Sequence, residues 1–98
     1  MDVEFGDNDL DRLETDPSFT MGLDQAIVKA YRKRLQIIRA APDERDFYNL
    51  KSWHFEKLEG KRQHQHSIRL NDQFRLIVEF VGTGRVKRVR VVGIEDYH

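Results

Sequence analysis

The chain has 98 residues, 35% of them charged and 10% aromatic, with no cysteine and a formal net charge of zero. That length gives one domain with a small core, and the missing cysteines exclude disulfides and thiolate metal sites. No apolar run approaches the roughly 20 residues needed to cross a bilayer, and Met1-Asp2-Val3-Glu4 lacks the basic and apolar regions of a signal peptide. A soluble, cytoplasmic protein is expected.

In chain order, Val3-Glu4-Phe5 alternates apolar and acidic as a short first strand does. Gly6 breaks it, and Asp7 or Asn8 can cap a short helix carrying Leu10 and Leu13. Asp16-Pro17 stops that helix. Leu23, Ile27, Ala30/Tyr31, Leu35 and Ile38 recur at the helical period, and Ala41-Pro42 ends this second helix. Residues 43–65 hold no long periodic segment. His66–Leu70 alternates, Asn71-Asp72 reads as a tight turn, and Phe74, Leu76, Val78 and Phe80 share one face of a strand. Gly82-Thr83-Gly84 turns the chain into a last strand, Arg85–Ile94. Its apolar pattern changes register between Val91 and Val92, which predicts burial on both faces or a bulge. The sum is an α+β fold: two N-terminal helices packed on one face of a small, mainly antiparallel sheet.

Zero net charge hides a division. Residues 1–24 carry eight acids and one base, a balance of −7, and residues 25–98 carry the compensating +7. This asymmetry fits a polyanion-binding surface set against an acidic face, and equally a pair of solvated helices of opposite charge.

The side chains needed to cut RNA without a metal are present. The 2′-hydroxyl attacks the adjacent phosphate when a base takes its proton, an acid protonates the leaving oxygen and cations stabilise the phosphorane. His54 and His98 titrate nearest neutrality. Asp96 can orient an imidazole or act as the base, and Tyr97 can stack on a nucleobase. Lys57, Lys61, Arg62, Arg69 and Arg75 form a candidate cationic centre, with Arg75 and Lys57 on the scissile phosphate. Each has a structural alternative: His54 packs beside Trp53, Asp96 pairs with Arg90 or caps a turn, Tyr97 is a half-buried aromatic, and Arg69 and Arg75 are exposed strand charges. His64 and His66 at i, i+2 share one side of an extended strand, but no third ligand stands at an informative spacing. No cofactor motif occurs.

Three stretches resemble the HigB branch of the RelE/ParE toxin superfamily, the plasmid maintenance system killer family. They are Trp53-His54-x-x-Lys57-Leu58-x-Gly60, the segment Ser67-Ile68-Arg69-Leu70-Asn71-Asp72-Gln73-Phe74-Arg75-Leu76, and the terminal Glu95-Asp96-Tyr97-His98. The basic helix with Lys33-Arg34-Leu35 is similar to the family's second helix. The resemblance implies a single RelE-like toxin domain over residues 1–98. The activity it implies is that of a ribosome-dependent endoribonuclease (an mRNA interferase) that cleaves messenger RNA and inhibits translation. By position it makes His54, Asp96, Tyr97 and His98 the catalytic group, with Lys57 and Arg75 in support and Arg69 and Arg62 as RNA contacts. The implied partners are a HigA-type helix-turn-helix antitoxin, the ribosome with its message, and operator DNA only through the antitoxin, with no membrane. Two other functions share the scaffold: a ParE-type toxin that binds DNA gyrase, and an inactive partner for antitoxin-mediated autoregulation.

Overall fold

The structure, a computed structural model, describes residues 1–96. Asp7 caps the first helix, its carboxylate accepting from the Leu10 amide at 2.9 Å, and acids in the first turn complement the helix dipole. The elements in order are β1 (Val3–Phe5), α1 (Asn8–Thr15), α2 (Gln25–Ala40), α3 (Arg45–Tyr48), β2 (Glu56–Lys57), β3 (Gln65–Arg69), β4 (Phe74–Val81) and β5 (Arg88–Asp96). Short 3₁₀ turns cover Lys51–Trp53, Gly60–Arg62 and Gly84–Val86. The last strand therefore begins three residues later than its sequence pattern suggests, because Gly84–Val86 winds into a turn.

The sheet order is β1-β5-β4-β3-β2, antiparallel except that β1 runs parallel to β5. Leu10 and Leu13 of α1 and Ile27, Tyr31, Leu35 and Ile38 of α2 pack with Ile68, Leu76, Val78, Val89 and Val91 of the sheet. These side chains alternate along their strands, so one sheet face makes the core. The two helices are pinned by polar contacts. The Tyr31 hydroxyl donates to the Leu10 carbonyl at 2.7 Å, and Arg32 donates to the carbonyls of Leu13, Asp16 and Phe19.

The expected irregularity in β5 is a bulge. Ile77 lies opposite Gly93 while Val78 lies opposite Val91, leaving Val92 as the extra residue. The bulge restores the alternation that puts Val91 and Ile94 both on the core side. It also carries Glu95 to the far face beside Arg75, its register partner.

Candidate active site

The 3₁₀ turn Lys51–Trp53 ends on His54, which adopts a left-handed backbone (φ 44°, ψ 48°). The turn has a packing cause: it buries Trp53 and Phe55 on either side of an exposed His54. The imidazole projects toward β3, where His54 Nε2 lies 3.3 Å from Arg69 Nη1. Arg69 also donates to the Asn71 carbonyl at 3.2 Å and pairs with Asp72. A cleft of ≈ 170 Å³ opens here, walled by His54, Arg69, Asn71 and Asp72, with Glu56, Ser67, Phe74 and Arg75 completing it. The Asn71 side chain holds the turn by accepting from the Gln73 and Phe74 amides at 2.8 and 2.7 Å, an Asx turn that fixes the rim.

The far face of the sheet is charged in both signs. The Gly60–Arg62 turn sends the Arg62 guanidinium from Gln65 on β3 to Glu95 on β5, which it meets twice at 2.5 and 3.0 Å. Ile77, on the strand between, is fully buried. Arg75 approaches the same carboxylate at 3.6 Å. Arg90 lies between Glu4 (3.1 Å) and Glu79 (3.7 Å), and Arg88 reaches Glu4 at 3.3 Å. Hydrogen bonding by Arg62 holds the Glu95 carboxyl below the usual carboxylate range, and Glu95 in turn raises the Arg62 pKa. This corrects the picture of a purely cationic floor: Arg62 and Arg75 come with a counter-charge.

The structure brings His54, Arg69 and Arg75 together at one cleft. Asp96 closes β5 opposite Phe74, a cleft wall, and its Oδ2 accepts from Gln73 Nε2 at 3.2 Å. Arg90, the alternative partner for Asp96, is engaged by glutamates. Tyr97 and His98 lie outside the described residues. Lys61 sits exposed on the turn beside Arg62.

Lys57 does not join them. In register it faces His66, whereas Glu56 faces Ser67. Alternation thus turns Glu56 into the cleft and Lys57 to the opposite side, where it lines a different pocket. The pairing of Lys57 with Arg75 on one phosphate is corrected accordingly. His64 and His66 both line the Lys57 pocket but make different contacts. His64 precedes β3 and approaches Glu79 at 3.4 Å, while His66 stacks on Phe55 with ring centroids 4.9 Å apart. Among the described residues no cluster of acids and histidines could hold a metal ion.

One supporting residue was hidden in the sequence. Arg34 of α2 donates through Nε and Nη2 to the Arg69 carbonyl at 3.3 and 3.2 Å, and its guanidinium lies 5.5 Å from the Trp53 ring. Burial lowers its pKa. As one of a run of basic residues on a helix it looked like a solvated charge. Its only signal was its place in Lys33-Arg34-Leu35.

The two-layer α+β fold is that of the RelE-like toxins. The YoeB/ParE toxin from Agrobacterium tumefaciens superposes with a TM-score of 0.68 at 17% identity, over 100% of each chain. The YoeB dimer structure from Staphylococcus aureus gives 0.60 at 17% identity, covering 100% of this chain and 97% of that one. A YafQ mutant from E. coli gives 0.55 at 15%, covering 97% and 91%. At such identities these likenesses show the fold. The chain belongs to the family of HigB, the RelE-like toxins of type II toxin–antitoxin systems, whose model matches residues 3–98. Membership implies an antitoxin as partner. No curated protein matches the chain.

Proposed function

We propose that this toxin is a metal-independent, ribosome-dependent endoribonuclease that cleaves messenger RNA and so inhibits translation. The observation that carries the reading is the cleft itself. An exposed imidazole lies 3.3 Å from a guanidinium, with Arg75 on the same wall and β5 reaching Asp96 one residue pair further on.

In this reading the 2′-oxygen attacks phosphorus and the 5′-oxygen leaves. His54 and His98 share the two proton transfers, with Asp96 orienting an imidazole or serving as the base. Arg69 and Arg75 stabilise the phosphorane charge, Arg doing so with two parallel hydrogen bonds. Tyr97 stacks on a nucleobase. Lys61 and Arg62 extend the RNA contact along the turn. A net charge of zero gives weak attraction for free RNA, so affinity comes from docking on the ribosome in the cytoplasm. A HigA-type helix-turn-helix antitoxin silences the toxin and carries the complex to operator DNA.

His54→Ala and His98→Ala are each expected to slow cleavage on translating ribosomes by about two to four decades, the range of a positioned proton-transfer group. Mapped 5′ ends of transcripts after brief induction give the readout, with naked RNA cut slightly or not at all. Wild-type rates in both variants would remove the catalytic assignment. Arrest of DNA supercoiling without transcript cleavage would select the gyrase-binding function instead.

A further inference from the structure

β2 has only two residues, and they face opposite ways: Glu56 into the cleft, Lys57 into a second, open pocket of ≈ 450 Å³. That volume falls within the roughly 300–1,000 Å³ of ordinary small-ligand sites. Its floor is aromatic. His66 is stacked on Phe55 at 4.9 Å and meets the Phe80 ring edge-on at 5.2 Å. Burial lowers the His66 pKa, and its Nδ1 is enclosed without a hydrogen-bond partner among the described residues. The ring is therefore neutral and serves as an aromatic surface. Tyr48 stands over this floor, its ring 4.7 Å from Phe55, and is 57% exposed. A tyrosine so open adds little to the core, and its one ring contact among the described residues is edge-on with the buried Phe55.

The rim carries Arg45, Lys57 and Lys87 with one carboxylate, Glu44. Lys87 lies 5.3 Å from the Phe80 ring and is paired with Glu44. Lys57 is exposed and has no carboxylate partner among the described residues. An aromatic platform beside an uncompensated ammonium is the combination that takes a nucleobase and its phosphate from single-stranded RNA. We infer that the pocket formed by Tyr48, Lys57, His66, Phe80 and Lys87 binds one nucleotide of single-stranded RNA on the opposite side of the β2 edge from the cleft. The base stacks on Tyr48, and Lys57 takes the phosphate. This rests on the RNA-cutting reading above and extends it: the strand straddles a two-residue sheet edge, with the cut on one side and an anchor on the other.

The probe is a 2′-O-methyl RNA hexamer, which lacks the nucleophilic hydroxyl, titrated into the full chain and followed by amide chemical shifts. Shifts are expected at Tyr48, Lys57 and His66. Tyr48→Ala is expected to bind about tenfold more weakly, while Tyr48→Phe keeps the affinity. Lys57→Gln is expected to reduce the slope of log affinity against log salt by about 0.7, one phosphate on a single strand. On programmed ribosomes, a photo-crosslinking phenylalanine analogue at position 48 is expected to join to messenger or ribosomal RNA, and the sequence of the product tells which supplies the nucleotide. Shifts confined to the His54 cleft, or unchanged affinity and slope in the variants, would overturn the inference. So would shifts at Tyr48 and Lys57 on adding purified antitoxin but not RNA. Hexamer binding here without any ribosomal cleavage removes the catalytic reading alone, and cleavage without binding here removes this one alone.

Discussion

His54 holds a backbone conformation that costs an L-residue about 1–2 kcal/mol. The cost is accepted because the turn must bury Trp53 and Phe55 in succession, which leaves the residue between them pointing outward. A side chain here is thus aimed by its neighbours' burial and by the Arg69 guanidinium at 3.3 Å. Only glycine adopts this conformation freely. His54→Gly is therefore expected to raise unfolding stability by up to about 1 kcal/mol while abolishing cleavage, with urea unfolding beside transcript mapping as the check. A destabilised His54→Gly protein would mean that the imidazole contributes more to the fold than its backbone costs. The sequence offers His54 as a candidate proton-handling residue but does not show its backbone, since nothing in Trp53-His54-Phe55 announces a left-handed residue that is not glycine.

At the scale of elements, what was legible had a period. α2 and the apolar face of β4 follow from spacing alone, because core burial selects them residue by residue, and the register change after Val91 marks an irregularity that the strand pairing resolves as a bulge. β2 was illegible. A two-residue strand has no period, and its register is set by the irregular Gly60–Arg62 turn. Lys57 is grouped with Arg75 by charge and by its position in the resemblance, and neither carries the register that turns Glu56, not Lys57, into the cleft. Arg34 was missed for a related reason: its role lies in where α2 crosses β3, a tertiary fact. It is the link between the helical layer and the site, since its two hydrogen bonds to the Arg69 carbonyl hold the strand end that presents the guanidinium. Arg34→Met keeps the apolar stem and removes both bonds. It is expected to cost about 2 kcal/mol, as for hydrogen bonds from a charged group, and to lower cleavage through a displaced Arg69. Cleavage at the wild-type rate in a destabilised protein would confine Arg34 to stability.

Across the whole molecule the charge division is bridged rather than segregated. Acids of the first 24 residues reach bases of the later chain: Glu14 meets Arg39 at 2.8 Å, and Glu4 meets Arg88 and Arg90. Such pairing shortens the reach of the basic surface and fits a toxin that docks rather than one drawn to any polyanion. It also fixes the response to acid. Asp16 and Asp43 are held below the ordinary value of 3.8, chiefly by hydrogen bonds from Ser18 and Arg45 respectively. Glu95 lies below 4.5 through Arg62. For Glu44 burial pushes upward, but the Lys87 hydrogen bond and charge win, and it too lies below 4.5. His66 is depressed below 6.5 by burial and by Lys57. In every case the unfolded chain binds the proton first, so stability is full above the unfolded pKa and falls as pH drops through the folded one. Two stages are therefore expected: a shallow loss beginning near pH 6.5 from His66, and a steeper one below about 4.5 from the carboxylates. Urea unfolding from pH 8 to pH 3 resolves them. His66→Phe should erase the first stage and Glu95→Gln should shrink the second. A stability profile flat between pH 7 and 5 in the wild-type chain would mean that His66 takes its proton in the folded state, and that its ring is not the neutral floor assigned to it.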